Sequence, residues 1–335
     1  MSASTAASNE PATYVVPYRP VREFLTGPIA SISLTLILVL AIGLFAAGPR
    51  FLSFGNVSIM GNFLIVPLVI ASFSGFALMS GVVDLSIGSM VAFSAAVFAK
   101  LLTLGWSPLA AGGASLVLCA AFGGFNALAI VGFRANPIAA TLGMLTALRG
   151  IAWVIVGGSG RINAFNMELF TLVNMRVFGL PLFFLISVAL ILFATLMVTK
   201  MRVGRHVKAV GGDPQAAERA GISVGGVRTF ALIASAVGAC LGGIIFVAQL
   251  GSAGRFTGFM LEFQVYAALM IGGYSILRGG VGNPFGGALG LIVVAGMTNI
   301  LDLTAYSPYY LNIIVGILLM SAVLLDRLRG GDAYE

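Results

Sequence analysis

Long apolar stretches that are nearly free of charge run along this chain, separated by short polar or basic breaks. A helix crossing roughly 30 Å of hydrocarbon needs about 20 mostly apolar residues. Stretches of this kind lie at 25–49, 57–80, 85–104, 108–131, 137–157, 180–199, 229–250, 263–277, 280–301 and 305–325. The pattern therefore predicts an all-α, polytopic membrane protein of about ten transmembrane helices. The 263–277 stretch is only fifteen residues long, and the glycines at 272, 273, 279, 280 and 282 predict a short, broken or re-entrant element there. In this reading residues 25–328 form one transmembrane domain. A Ser-, Ala-, Pro- and Thr-rich tail with the composition of a disordered segment occupies 1–24, and a short second tail occupies 329–335. The lengths of the first tail and first span predict a retained anchor, not a cleaved signal peptide.

Composition strengthens this picture. Of 335 residues, 59% are hydrophobic and 9% charged, against a charged fraction of about 25% in soluble domains. With a mean hydropathy of +1.06, the missing polar surface points to lipid as the surrounding solvent. That excludes a secreted domain, an anchored cytosolic enzyme and a nucleic-acid binder, although the net charge is +7. The positive charge reads as orientation. Ten spans put both ends on one side. If that side is the cytoplasm, its segments hold Arg19, Arg22, Arg134, Lys200, Arg202, Arg205, Lys208, Arg219, Arg228, Arg278, Arg327 and Arg329, while the outer segments hold Arg50, Arg161, Arg176 and Arg255. Lys100 and Arg149 fall within spans. Twelve against four favours cytoplasmic termini by the positive-inside rule. Cys119 and Cys240 each sit in an apolar run, which predicts neither a disulfide framework nor a metal site.

The longest polar interruption, 200–228, lies on the cytoplasmic side. Asp213 suits an N-cap, Pro214 the first helical position, and Gln215 to Ala220, including Ala216, Ala217 and Arg219, favour helix until Gly221 stops it. The predicted helix has about two turns, with Gly211 and Gly212 before it. Isolated helices shorter than about 12–15 residues are marginal in water, so this one needs a surface to pack on. The residues leave open whether it is a membrane-surface connection or a docking knob for a cytoplasmic partner. The outer 158–179 loop is likewise open between partner docking, a lid and a plain connection.

No Gly-Lys-Ser/Thr sequence is present to build a phosphate-binding loop, so if energy comes from ATP another chain supplies it, and the chain itself is read as non-enzymatic, without cofactor or metal. The single histidine, His206, lies beside Arg205 in the cytoplasmic loop. Acids near spans are few. Glu262 and Asp302 are expected at the interfaces. Asp84, followed by Ser86, reads either as a cap on the third span or as a proton- or substrate-coupled group. Arg149 must reach carbonyls, a carboxylate or the substrate, and Lys100 snorkels to an interface.

Four motifs resemble the permease subunits of ribose-type bacterial ABC sugar importers, the inner-membrane components of binding-protein-dependent transport in the branched-chain amino acid/ribose permease family. SGVVDLSIGSMVAFSAA at 80–96 is similar to the signature Gly-Gly-Ile-Asp-Leu-Ser-Val-Gly-Ser, with Val82 in place of its second glycine. FNALAIVGFRANPIAATLGMLTALRGIA at 125–152 keeps Asn126, Pro137, Thr141, Leu142, Gly143, Arg149 and Gly150, whereas Ala127 departs. GRHVKAVGGDPQAAERAGISV at 204–224 resembles the cytoplasmic stretch, with Lys208 and Asp213 as departures. ALMIGGYSILRGGVGNPFGGALG at 268–290 resembles Ile-Gly-Gly-x-Ser-x-x-Gly-Gly-x-Gly-Ser, with Arg278 and Asn283 as departures.

The resemblance implies the translocation path of an ATP-driven importer in the bacterial inner membrane, carrying a monosaccharide or related polyol. It further implies a permease homodimer, a cytoplasmic ABC ATPase and a periplasmic sugar-binding protein. Residues Arg205, Gly211, Gly212, Asp213, Pro214, Ala216, Ala217, Arg219 and Gly221 would then couple to the ATPase. Asp84, Ser86, Asn126, Thr141, Arg149, Gly272, Gly273 and Ser275 are the candidates for the path or its supporting motifs. The alternative is a cation-coupled secondary carrier of a small polar solute, working alone and dependent on Asp84.

Overall fold

The computed structural model describes residues 28–307 and 309–329, so the tail expected at 1–24 and nearly all of that expected at 329–335 lie outside the described residues. Among the described residues thirteen α-helices follow one another: α1 (Pro28–Ala47), α2 (Phe54–Met79), α3 (Ile87–Thr103), α4 (Pro108–Ala127), α5 (Pro137–Val156), α6 (Met167–Asn174), α7 (Leu182–Lys200), α8 (Arg202–Gly212), α9 (Pro214–Arg219), α10 (Val224–Leu250), α11 (Leu261–Ile271), α12 (Pro284–Leu303) and α13 (Tyr310–Arg329). Seven apolar segments among them are long enough to cross a membrane, and α3, α11 and the 310–324 part of α13 are shorter apolar helices. These ten occupy the ten stretches predicted from the hydropathy pattern.

Several helix starts were written locally. Ser107–Pro108, Asn136–Pro137, Asp213–Pro214 and Asn283–Pro284 each place a capping side chain before a proline at the first helical position. The cap accepts an orphan amide, and the proline sits where its missing N–H is of no consequence. At α5, for example, Asn136 Oδ1 accepts from the amides of Ile138 (2.9 Å) and Ala139 (3.2 Å).

The bundle has an inside and a lipid-facing rim. The most apolar window of α2 is 78% buried and that of α12 is 72%, whereas those of α1, α5 and α7 are between 17% and 22%. Phe45, Leu109, Val117 and Val154 stand exposed on α1, α4 and α5. A continuous apolar rim of this kind is stable against lipid, not water. The core is formed by α2, α3, α10, α11 and α12, with Ile70, Leu78, Met90, Tyr266 and Leu269 among its fully buried side chains.

Helix α11 has eleven residues; at 1.5 Å per residue it covers about 16 Å, roughly half the hydrocarbon thickness. The predicted interruption is therefore present. Gly272 ends the helix, Gly273 takes φ +92° and Gly280 φ +78°, and regular helix resumes at Pro284, four residues later than the hydropathy pattern placed it.

The 27-residue helix α10 begins beside α9 and runs about 40 Å to the opposite end of the molecule. There the short strand β1 (Arg161–Asn163) pairs antiparallel with β4 (Ser252–Gly254), and a small hairpin joins β2 (Arg176–Val177) to β3 (Leu180–Pro181). The outer loop predicted at 158–179 thus carries a helix, α6, and a strand tied to the 251–260 linker.

Candidate functional site

The polar segment at one end of the bundle contains two helices where the sequence predicts one. The eleven residues of α8 bury Gly204, Val207 and Val210 and leave Arg202, Arg205 and His206 outward. Gly211 and Gly212, expected before a helix, form its last turn. The missed signal was the three- and four-residue spacing of the small and apolar positions against a basic face. The expected short helix follows as α9: Asp213 Oδ1 accepts from Gln215 N (2.9 Å) and Ala216 N (3.0 Å), with Pro214 at the first position. Ala217 is the buried residue of α9, while Ala216 and Arg219 remain exposed. Gly221 takes φ +79°, and its amide donates to Glu218 O at 2.9 Å, so it ends the helix as predicted. Arg205 donates to Lys200 O at 3.1 Å.

Close backbone contacts, beside the buried side chain of Val207, join this segment to the core. The Gly280 amide donates to Met79 O at 2.7 Å, bringing the 272–283 linker against the end of α2. A Cβ on Gly211 would collide with Met79 O and with the Gly280 nitrogen. One on Gly279 would collide with Gly211 O, and one on Gly280 would stand 2.7 Å from Lys208 O. Three chain segments therefore meet at a junction that admits only glycine: the end of α8, the break between α11 and α12, and the end of α2.

Each of the other two segments is anchored deeper. In the α11–α12 break, Ser275 donates to Asp326 Oδ2 at 2.6 Å, and the Arg278 amide donates to Ser275 Oγ at 2.8 Å. An Arg278–Asp326 ion pair of 3.4 Å completes the tie to α13. Asp326 is buried in this network. Gly272 lies against the backbone of Gly286 and Gly287, so α11 and α12 approach more closely than side chains would permit. Gly273 supplies the left-handed turn after it.

The loop leaving α2 ends in a buried polar hub. Asp84, 1% exposed, accepts from Ser86 N (3.0 Å) and Ser86 Oγ (2.5 Å) through Oδ1, and from Ser235 Oγ (2.7 Å) through Oδ2. Its backbone N–H donates to Tyr266 Oη (3.0 Å), and Tyr266 in turn donates to Asp84 O (2.8 Å). Asn126 Nδ2 donates to Ser86 Oγ (3.1 Å), and Thr141 Oγ1 donates to Pro137 O (2.8 Å) and more weakly to Val83 O (3.3 Å). So α4, α5, α10 and α11 all converge on the 82–86 loop. The expected cap takes another form, because the N-cap of α3 is Ser86 and its side chain caps no amide. Asp84 instead satisfies groups drawn from different helices, which is what keeps a buried carboxyl group tolerable.

At the far end Arg149 reaches carbonyls, as one of its predicted alternatives had it: Nη1 donates to Thr257 O (2.7 Å) and Nη2 to Gly258 O (3.0 Å). Trp153 Nε1 donates to Arg255 O at 3.0 Å, so one face of α5 clamps the 255–258 turn. Glu262 departs from expectation. It is 4% exposed and packs against Gly88, with no partner on Oε2, instead of lying at an interface. The acidic residue sits one position into an interrupted helix, so hydropathy placed it outside a span whose start is itself buried.

The sequence that builds this glycine-interrupted bundle and its polar end segment matches a known family. The model for the branched-chain amino acid transport system / permease component matches residues 57–323. The chain belongs to that family. The ribose import permease protein of Escherichia coli K12 is 31% identical over 298 residues, covering 88% of this chain and 92% of its own. The D-allose transport system permease protein of the same organism is 31% identical over 254 residues (76% and 77%), and its L-arabinose counterpart 29% over 296 residues (88% of each). No solved structure matches the chain significantly. The chain is thus a multi-pass membrane permease. The family match takes in the Asp84 hub and the glycine junction, and leaves out α1 and Asp326, the α13 end of the second anchor.

Proposed function

We propose that this permease forms the membrane path of an ATP-driven importer for a monosaccharide or related polyol. The ATPase is a separate cytoplasmic chain engaging α8 and α9, the sugar arrives on a periplasmic binding protein at the opposite end, and two copies of the permease build the transporter. Both termini are cytoplasmic, and the permease itself catalyses no reaction. The observation that carries this reading is the glycine junction. A force applied to α9 passes through Gly211 into the backbones of Gly279, Gly280 and Met79, with no flexible side chain between. Motion of the cytoplasmic segment is delivered to the two interrupted elements that could open and close a path, which is what alternating access requires. The match to sugar permeases over most of both chains supports the substrate class. A carrier working alone would need a carboxylate on the solute route, and Asp84 has hydrogen bonds on both oxygens and 1% exposure.

The test is reconstitution in proteoliposomes with ATP inside and loaded binding protein outside. Uphill uptake requires the ATPase chain, and uptake by the permease alone would overturn the proposal. Ala217→Pro deletes the bond from the Ala217 amide to Asp213 O (3.0 Å). At about 3 kcal/mol for an interior proline, a helix of six residues does not persist. The variant is expected in the membrane, folded, with uptake lost; full uptake would sink the coupling role of α9. Charge reversal at Arg205 or Arg219 should weaken recovery of the ATPase in a pull-down of the detergent-extracted complex.

A further inference from the structure

In the half of the molecule far from α9, a cavity of about 510 Å³ opens between α2, α6, α10, α11 and the 251–260 linker. That volume falls in the range of about 300–1,000 Å³ usual for small-molecule sites. We propose that this cavity is the sugar-accepting chamber of the permease, binding a single neutral monosaccharide through the side-chain amides of Asn62, Gln249 and Gln264. The inference rests on the importer reading above and adds to it the place and chemistry of the substrate.

Three features argue for this. First, amides are the uncommon element in these helices, and four of them, Asn62, Asn174, Gln249 and Gln264, line one space, Asn174 already donating to Phe170 O at 2.8 Å within α6. Each amide offers both a carbonyl acceptor and N–H donors, matching sugar hydroxyls, which donate and accept at once. Gln249 is already oriented, its Nε2 donating to Asn62 O at 3.5 Å, which leaves its carbonyl oxygen for a ligand. Second, Phe246, Phe256 and Phe259 supply aromatic surface for the C–H faces of a sugar ring. Third, none of the residues that line the cavity is charged. An amino-acid zwitterion would bring two charges into that space without counter-charges, at a cost in free energy that a neutral polyol does not meet. Within a family whose description names branched-chain amino acids, this absence selects the sugar.

The cavity also has a way onward. A second space of about 120 Å³, between α2, α11, α12 and α13, shares Phe63, Pro67 and Gln264 with the first. Pro67 lies within α2 and has no N–H for the carbonyl of Phe63 four residues earlier. Gln264, on the interrupted helix α11, and this turn of α2 therefore stand where the two spaces adjoin, and the glycine junction connects the ends of both elements to α8. Arg149 holds the 257–258 carbonyls at the rim.

The test uses the complete transporter in proteoliposomes, with ATP trapped inside and loaded binding protein outside. Gln264→Cys and Gln249→Cys are treated from outside with a membrane-impermeant, quaternary-ammonium methanethiosulfonate. The native Cys119 and Cys240 are buried, and untreated and wild-type samples serve as controls. The readouts are binding-protein-stimulated ATP hydrolysis and uptake of labelled D-ribose, D-allose, L-arabinose and L-leucine. The expected result is reaction at both introduced cysteines, at least tenfold loss of sugar uptake on labelling, and hydrolysis still stimulated. Unlabelled Gln264→Leu should reduce uptake about three- to tenfold at sub-saturating sugar, the loss of one neutral hydrogen bond. No reaction at either cysteine, full uptake with the adduct in place, or uptake of leucine in preference to every sugar would overturn the chamber. Wild-type protein without stimulated hydrolysis would instead overturn the importer reading.

Discussion

Gly211→Ala tests whether the glycine junction transmits force. The added Cβ would sit inside contact distance of Met79 O and Gly280 N and 3.0 Å from the Gly279 carbonyl carbon. All three are backbone atoms, which cannot swing aside as a side chain would. Carbon contacts are comfortable near 3.5 Å, so the end of α8 must move away from α2 and the 272–283 linker, breaking the Gly280–Met79 hydrogen bond of 2.7 Å. Overpacking costs about 1–3 kcal/mol, and the lost bond about 0.5–1.5 kcal/mol. Against this, alanine in the last turn of α8 gains about 0.8–1 kcal/mol over glycine in helix propensity. The net is about 0.5–3.7 kcal/mol against the joined arrangement, equivalent to roughly 2- to 400-fold in its population at 1.4 kcal/mol per decade. The assay is the ratio of sugar taken up to ATP hydrolysed in proteoliposomes, together with a thermal melt of the detergent-solubilised complex. Basal hydrolysis should survive while the ratio falls at least twofold. Gly143→Ala is the control, since nothing lies within 4 Å of the added carbon, and it should behave as wild type. A Gly211→Ala protein with wild-type coupling and an unchanged melt would refute the argument.

Two further substitutions probe the buried anchors. Asp84→Ala removes an acceptor from Ser86 and Ser235; with about 1–3 kcal/mol for each buried group left unsatisfied, the melting temperature should fall markedly, whereas Asp84→Asn, which keeps Oδ1, should retain the fold and most of its uptake. Arg149→Lys can replace one of the two carbonyl contacts at the 257–258 turn. It should raise hydrogen exchange across 251–260 while α12 stays protected, and equal exchange in the two proteins would remove the clamp.

Hydropathy made the helices legible because each span must satisfy its backbone internally, and a charge-free run can do that only as helix. Caps made several boundaries legible: Asn136 before Pro137 and Asp213 before Pro214 fix starts whatever surrounds them. The interrupted helix showed through its glycines, though glycine alone did not reveal why Gly279 and Gly280 are needed. That reason lies in Gly211, some seventy residues earlier in the chain, and close approach between distant segments leaves no local pattern. Glu262 was misplaced for a related cause. The rule that acids mark span ends assumes that a span starts at the membrane surface, and α11 starts inside the protein.

Charged residues drew attention in this sequence, yet the two carboxylates deepest in the bundle, Asp84 and Glu262, line neither cavity. The buried Asp84 serves to hold helices together, its two oxygens matched by Ser86 and Ser235. A substrate route has the opposite requirement: its groups must exchange partners with a passing solute at little net free-energy change, as half-buried amides do. Asn62, Gln249 and Gln264 are polar enough to hold a sugar and weak enough to release it. On this argument the route is marked by neutral polar residues, and Gln249→Glu, which places a carboxylate in the cavity, should impair uptake more than Gln249→Asn. Comparable uptake by the two would place the route elsewhere in the fold.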